Sequence, residues 1–194
     1  MALLALLLLA GCSPQVQPLV FGEPVWQDGE TSAYRVTNVE GRVVGEATVS
    51  LHAGGEHAGG DAWTLRRAVQ DVAVYEEVVV EFRSQGYTPV YTDLVRRDGA
   101  GSQRVEATID RAQVNIALTN RLGNTVYERV SAPSDIRDER TLLTLVRTLP
   151  LAPGYAVRLN SFLPVVGQTE RVTVVVDKAE TITVPAGTFA AWKV

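Results

Sequence analysis

Few residues of this 194-residue chain could do chemistry, and the most reactive is its single cysteine, Cys12. A thiolate can accept an acyl or alkyl group, bind a metal or pair into a disulfide, and the last is closed within a chain that has no second cysteine. The two histidines, His52 and His57, flank Glu56 in the glycine-rich run from His52 to Gly60. A metal there would need a third strong ligand and a preset geometry, which glycines do not supply. The run therefore reads as a solvated loop, and no metal site is expected. Adjacent carboxylates, Glu76-Glu77 and Asp138-Glu139, could divide acid and base roles in principle. Neighbours in a strand face opposite sides, so Glu76 and Glu77 cannot converge on one atom. Both pairs read as solvated charges. Gly-x-Ser-x-Gly, His-Glu-x-x-His and phosphate-loop spacings are all missing from the sequence. The expectation is a non-catalytic chain with no cofactor.

Cys12 closes an apolar run that opens near Leu3 and is stopped by Ser13, Pro14, Gln15 and Gln17. A spanning helix needs about 20 apolar residues, whereas a signal-peptide core needs roughly 7 to 15. Leu9, Ala10 and Gly11 before Cys12 resemble the lipobox of bacterial lipoproteins, in which a diacylglyceryl group is transferred to the thiol and the chain is cut just before it. The resemblance implies that residues 1–11 are a lipoprotein signal peptide and that Cys12 is the lipid anchor. It also implies an exported protein held in the bacterial envelope through that lipid. Ser13 resembles the pattern that sends lipoproteins to the outer membrane when there are two membranes; otherwise the outer face of the cytoplasmic membrane is implied. An ordinary secretory signal is the alternative. Neither Met1 nor Ala2 supplies the usual basic residue, so either the amino terminus alone carries the positive charge or the start lies further upstream.

Formal net charge is −4, from Lys+Arg 18 against Asp+Glu 22, so there is no positive field to hold phosphates and a nucleic-acid partner is not expected. Residues 12–30 hold Pro14, Pro18 and Pro24 with no sustained apolar period and read as lipidated cysteine plus tether, although Trp26 could already belong to the domain. From 31 to 194 the chain reads as a single antiparallel β domain. Val43, Ala47, Val49 and Leu51 alternate with Glu46, Thr48, Ser50 and His52, and Glu40-Gly41-Arg42 suits a turn. Trp63, Leu65 and Val69 continue the period, followed by Val78, Val80 and Phe82, then Val105, Ala107 and Ile109, then Val114, Ile116 and Leu118. Short strands joined by tight turns predict a curved antiparallel sheet or an open barrel-like meander. One segment changes period. Ser134 could cap a helix over 135–149 whose broad apolar stripe is Ile136, Leu142, Leu143, Leu145, Val146 and Leu149, with Pro150 ending it.

Arg147-Thr148-Leu149-Pro150-Leu151 with Gly154, then Glu180 to Val184 running into Pro185-Ala186-Gly187-Thr188-Phe189 and Trp192-Lys193-Val194, resembles a widespread family of bacterial exported domains of unknown function. The resemblance centres on residues 134–194. It implies an all-β fold with a helix before the last strands and supplies no catalytic residues. In that family the chain continues past the strand that follows the Pro-Ala-Gly-Thr-Phe turn, so truncation after Val194 is expected.

A lipid-anchored sheet with an apolar face could hold a lipid or other apolar small molecule. Alternatively it could be a structural or interaction module of an envelope assembly, with protein partners not readable from sequence. An enzyme without a recognisable motif is a distant third. Large inner side chains would favour a filled core and small ones a cavity; Ala47, Ala107 and Ala117 stand beside Phe82, Ile109 and Leu118, so the alternation leaves both open.

Overall fold

The computed structural model describes residues 15–194. These residues form two compact units: Val20–Pro150 with Leu159–Val172, and Leu151–Arg158 with Thr173–Val194 and the segment up to Leu19.

The smaller unit opens on β1 (Val16–Gln17), a two-residue strand. The larger is an antiparallel meander of β2 (Glu30–Thr37), β3 (Val43–Gly55), β4 (Gly59–Asp71), β5 (Val74–Arg83), β6 (Pro89–Asp98), β7 (Gly101–Asp110), β8 (Gln113–Thr119) and β9 (Thr125–Ser131). Each strand pairs with the next in sequence and the sheet does not close, so β2 and β9 are its edges. Turn chemistry fixes the hairpins at both ends. Asn38 Oδ1 accepts the N–H groups of Glu40 and Arg42 around Gly41, whose φ is +77°, and Asn120 Oδ1 does the same for Leu122 and Asn124. Such Asx turns need no help from the core.

Alternation puts one face inward, and the register sorts that face into rows running across the strands. The first row reads Glu30, Leu51, Leu65, Val80, Thr92, Ala107, Ile116, Glu128. Its six central members are buried, whereas carboxylates stand at the two edges where pairing ends. The second reads Ser32, Val49, Arg67, Val78, Leu94, Val105, Leu118, Val126. The third begins apolar, with Tyr34, Ala47 and Val69, and turns polar at Glu76, Arg96 and Gln103.

Covering this face are β10 (Ile136–Asp138), a 3-10 turn at Glu139–Thr141, the helix α1 (Leu142–Val146) and the part of β11 (Ala156–Leu163) from Leu159 onward. β10 runs parallel to β11, Ile136 opposite Asn160 and Asp138 opposite Phe162. A parallel pair needs a crossover, which the short helix supplies. The helical segment is therefore shorter than the one expected over 135–149, and Ser134 does not cap it. Asp138 does, its carboxylate accepting the Arg140 N–H at 2.8 Å. Ile136 is spent on a strand because pairing with β11 satisfies its backbone while its side chain enters the core beside Leu145 and Phe162.

Part of the expected tether is built in. Trp26 is buried, with its ring centroid 5.8 Å from that of Trp63 and 6.4 Å from that of Phe82, and Phe21 meets Tyr87 edge-on at 5.3 Å.

In the smaller unit β1 lies parallel to the start of β11, Val16 opposite Ala156. Tyr155, Ala156, Val157 and Val176 are buried there, as is Val174 at the far end of β12 (Gln168–Val175). A two-stranded hairpin follows, β13 (Lys178–Val184) and β14 (Gly187–Lys193), and Ile182, Val184, Phe189 and Trp192 along it are exposed.

Candidate functional site

The lipobox residues Leu9, Ala10 and Gly11, and Cys12 itself, lie outside the described residues. Pro185, Ala186, Gly187, Thr188 and Phe189 form the turn and first residues of the β13–β14 hairpin. Gly187 sits at φ +140°, and Thr183 and Thr188 pair through their hydroxyls at 3.0 Å.

The glycine run is the tip between β3 and β4, and a carboxylate from β5 ties it down. Glu81, 3% exposed, accepts the backbone N–H groups of Glu56, His57 and Ala58 at 2.8 to 3.1 Å. His57 Nδ1 lies 3.1 Å from the same carboxylate, and its ring stacks on Tyr91 at 3.7 Å. A Cβ at Gly55 would fall 2.4 Å from Glu81 Oε2, so glycine there makes room for the anchor. Burial works to raise the Glu81 pKa, but the hydrogen bonds from His57 and Ala58 outweigh it and hold the carboxyl below its ordinary value. His52 stands on β3 opposite Thr64, in the ladder, while His57 is in the tip.

Of the carboxylate pairs, Glu76 faces inward to Arg67 at 2.8 Å and Glu77 faces outward to the Tyr75 hydroxyl. Asp138 corrects the expectation of solvated charge: it is 1% exposed, caps the 3-10 turn and accepts the Thr92 hydroxyl at 2.8 Å. Burial pushes its carboxyl up. Next to it, Arg137 donates to the carbonyls of Asp135 and Ile136 and lies over the Phe21 ring at 5.0 Å. Burial lowers its pKa to about 10.

Where the third row passes beneath α1, the inner face is not filled. A cavity of about 360 Å³ opens there, walled by Tyr34, Ala47, Val49, Val69 and Leu143. That volume falls within the ~300 to 1,000 Å³ of small-molecule sites. Two hollows of about 480 Å³ lie elsewhere, one between Arg83 and Arg111 and one on the outer face by Tyr91 and Tyr127. Neither has a comparable aliphatic wall.

Three arginines also line the aliphatic cavity: Arg67 from β4, Arg140 from the 3-10 turn and Arg147 from the end of α1. Each is held by one carboxylate. Arg67 donates Nη2 to Glu76, Arg140 donates Nη1 to Glu139, and Arg147 donates Nη1 to Glu30 at 2.6 Å. The Arg147 hydrogen bond keeps the Glu30 carboxyl below its ordinary pKa. The Nε–H groups of Arg67 and Arg140, like those of Arg96 and Arg137 away from the cavity, are buried with no hydrogen-bond partner among the described residues.

A family model described as a protein of unknown function, DUF3108, matches residues 33–194. The chain belongs to that family. No curated protein and no solved structure matches it. The match spans nearly the whole sheet and fits the expectation of a domain of unknown function.

In this DUF3108 domain the cavity lining was only partly legible. Val49 and Val69 stand out by alternation, and so does Ala47, whereas Arg67 looks like one more polar residue between Leu65 and Val69. Its position carried the signal: counted in twos from Trp63 and Leu65, it falls on the inner face, where an arginine needs partners. Arg140 and Arg147 join it only through the crossover from β10 to β11, which no local pattern announces.

Proposed function

We propose that this DUF3108 protein is a membrane-anchored cell-envelope lipoprotein whose β domain is non-catalytic and binds a lipid or another apolar small molecule. The observation that carries this reading is the cavity between the inner face of the sheet and α1, with Tyr34, Ala47, Val49, Val69 and Leu143 as its wall. Burying an aliphatic group there contributes about 25 cal/mol per Å² removed from water. Anchoring rests on the lipobox-like residues before Cys12, and two acyl chains at about 0.8 kcal/mol per buried methylene would hold the chain at a membrane.

The test is mass spectrometry of organic extracts from the full chain carrying Cys12→Ala, purified from a bacterial host. A stoichiometric apolar molecule that is lost on Ala47→Trp, which fills the cavity, is the expected result. A clean extract combined with no uptake of a neutral fluorescent apolar probe would overturn the reading. The same Cys12→Ala change should move the protein from the membrane to the soluble or unprocessed fraction.

A second reading, an interaction module of an envelope assembly, is favoured by the β13–β14 hairpin. Two strands alone are marginal in water, and this pair exposes Ile182, Val184, Phe189 and Trp192.

A further inference from the structure

An antiparallel meander places its turns alternately at its two ends. One end carries the tips 38–42, 72–73, 99–100 and 120–124, and the other carries 56–58, 84–88 and 111–112. The two sets differ in what they show to solvent. Val39 is 98% exposed, Val72 92% and Leu122 84%, so three tips at the first end hold an aliphatic side chain almost wholly in water. The remaining tip there exposes Ala100. The opposite end exposes Glu56, His57, Gln85 and Arg111, and its large apolar residue, Tyr87, is buried.

Neither the turns nor the core asks for these aliphatics. Each tip at the first end is held by a side chain where a strand finishes: Asn38, Asp71, Asp98 and Asn120 accept the backbone N–H groups of Glu40, Ala73, Ala100 and Leu122 at 2.7 to 3.1 Å. Such turns are served by Gly, Asn, Asp and Ser, and valine belongs by preference in strands. The aliphatics also stand singly. Neighbouring tips at one end are two strand spacings apart, about 10 Å. A protein partner buries a contiguous apolar patch, which separated side chains do not make. A bilayer takes each side chain separately, because its acyl boundary is apolar and fluid throughout. Charges at these tips nearly balance, with Glu40, Asp71 and Asp98 against Arg42 and Arg121, and Arg121 is already paired with Asp98. Contact there calls for no anionic lipid.

We propose that the end of the sheet carrying Val39, Val72 and Leu122 is the surface turned to the bilayer, these side chains entering the boundary between headgroups and acyl chains. The proposal rests on the reading of the chain as a membrane-held protein and names the surface that meets the lipid. With the chain tethered through Cys12, insertion has only to orient the sheet, which does not require the area of a free-standing interface.

The test uses the full chain carrying Cys12→Ala, so that no lipid of its own contributes. Val39→Cys, Val72→Cys, Leu122→Cys or, at the opposite end, Gln85→Cys is labelled with an environment-sensitive nitrobenzoxadiazole dye and mixed with phosphatidylcholine vesicles at millimolar lipid. At least two of the tip labels should shift to the blue and be quenched by lipids spin-labelled near the headgroup, while the label at Gln85→Cys stays unchanged. Adding phosphatidylglycerol to the vesicles should leave the shifts as they are. The unlabelled chain with Val39→Ser, Val72→Ser and Leu122→Ser combined should bind vesicles at least about fivefold more weakly, with little change in its unfolding midpoint. A shift at one tip or none, an equal shift at Gln85→Cys, binding that needs phosphatidylglycerol and disappears in salt, or undiminished binding of the serine variant would each overturn the surface. None of these readouts depends on acylation of Cys12. Fractionation of cells expressing the wild type or Cys12→Ala decides the anchor separately, so either reading can fail while the other stands.

Discussion

The same strands behave differently at their two ends. Where β4 and β5 carry Trp63 and Phe82, the inner face is closed by aromatic rings, Trp26 and Tyr87 among them. Further along, those strands carry Val69 and Glu76, β3 carries Ala47, and the face opens into a cavity with arginines in its lining. One end is closed by packing against the chain's own Trp26 and Phe21. At the other, small side chains and charges leave room that the chain does not fill. The contrast shows that a single alternating pattern can specify a core and a cavity at once, the difference lying in side-chain volume and charge along each row.

The sharpest way to break this comparison is to empty the closed end. Phe82 is fully buried, and Phe82→Ala should cost about 3 to 5 kcal/mol in denaturant unfolding. A loss below about 1 kcal/mol would mean that the aromatic end is not the core. Glu81, on the opposite face of β5, should come next. Glu81→Gln removes the charge from a carboxylate that accepts three backbone N–H groups and should cost about 1.5 to 3 kcal/mol. The sign with pH follows from its depressed folded pKa: the contribution is present above the unfolded carboxylate value and is lost as pH falls through the lower folded value. In the wild type, stability should therefore drop from about pH 4.3 downward more steeply than in Glu81→Gln. Parallel acid-unfolding curves would remove Glu81 from the account.

At the open end the effects on folding should be small. Arg67 and Glu76 keep some exposure, and Arg67→Met should change stability by no more than about 1 kcal/mol. Leu143 is 86% exposed although it lines the cavity, so Leu143→Ser should stay within about 0.5 kcal/mol by thermal or chemical unfolding. Its effect should appear instead as weaker binding of the neutral probe. A Leu143→Ser variant that destabilises strongly would place the helix among the core supports and erase the distinction between the two ends.

The meander was legible because its information is local. Alternation in twos names the inner face, and Glu40-Gly41-Arg42 and Leu122-Gly123-Asn124 mark turns that Asn38 and Asn120 then hold. The helix was overextended because Ser134 and the stripe from Ile136 to Leu149 satisfy helical rules as well as they satisfy a strand followed by a short helix. Pairing with β11 decided between them, and that partner is distant in sequence. The same holds for the glycine tip, which looks solvated until Glu81 is found beneath it. The aliphatic wall was legible as inner-face positions, while the alternation left open whether that face is filled or hollow. The arginine half of the lining required register across β4 and β5 and the position of the crossover, neither of which one strand contains.

β2 supplies Glu30, Ser32 and Tyr34 to the cavity and is also an edge of the sheet. One wall of the site is thus bonded along one side only, and peeling it back breaks a single ladder rather than two. Local opening of such a strand costs less than global unfolding. The Arg147–Glu30 pair fastens the beginning of β2 to the end of α1, and half-exposed pairs of this kind are weak. The cavity can then open by breathing, under a strand that lifts and re-zips along one ladder, and amide exchange along β2 should be faster than along β4 and β5.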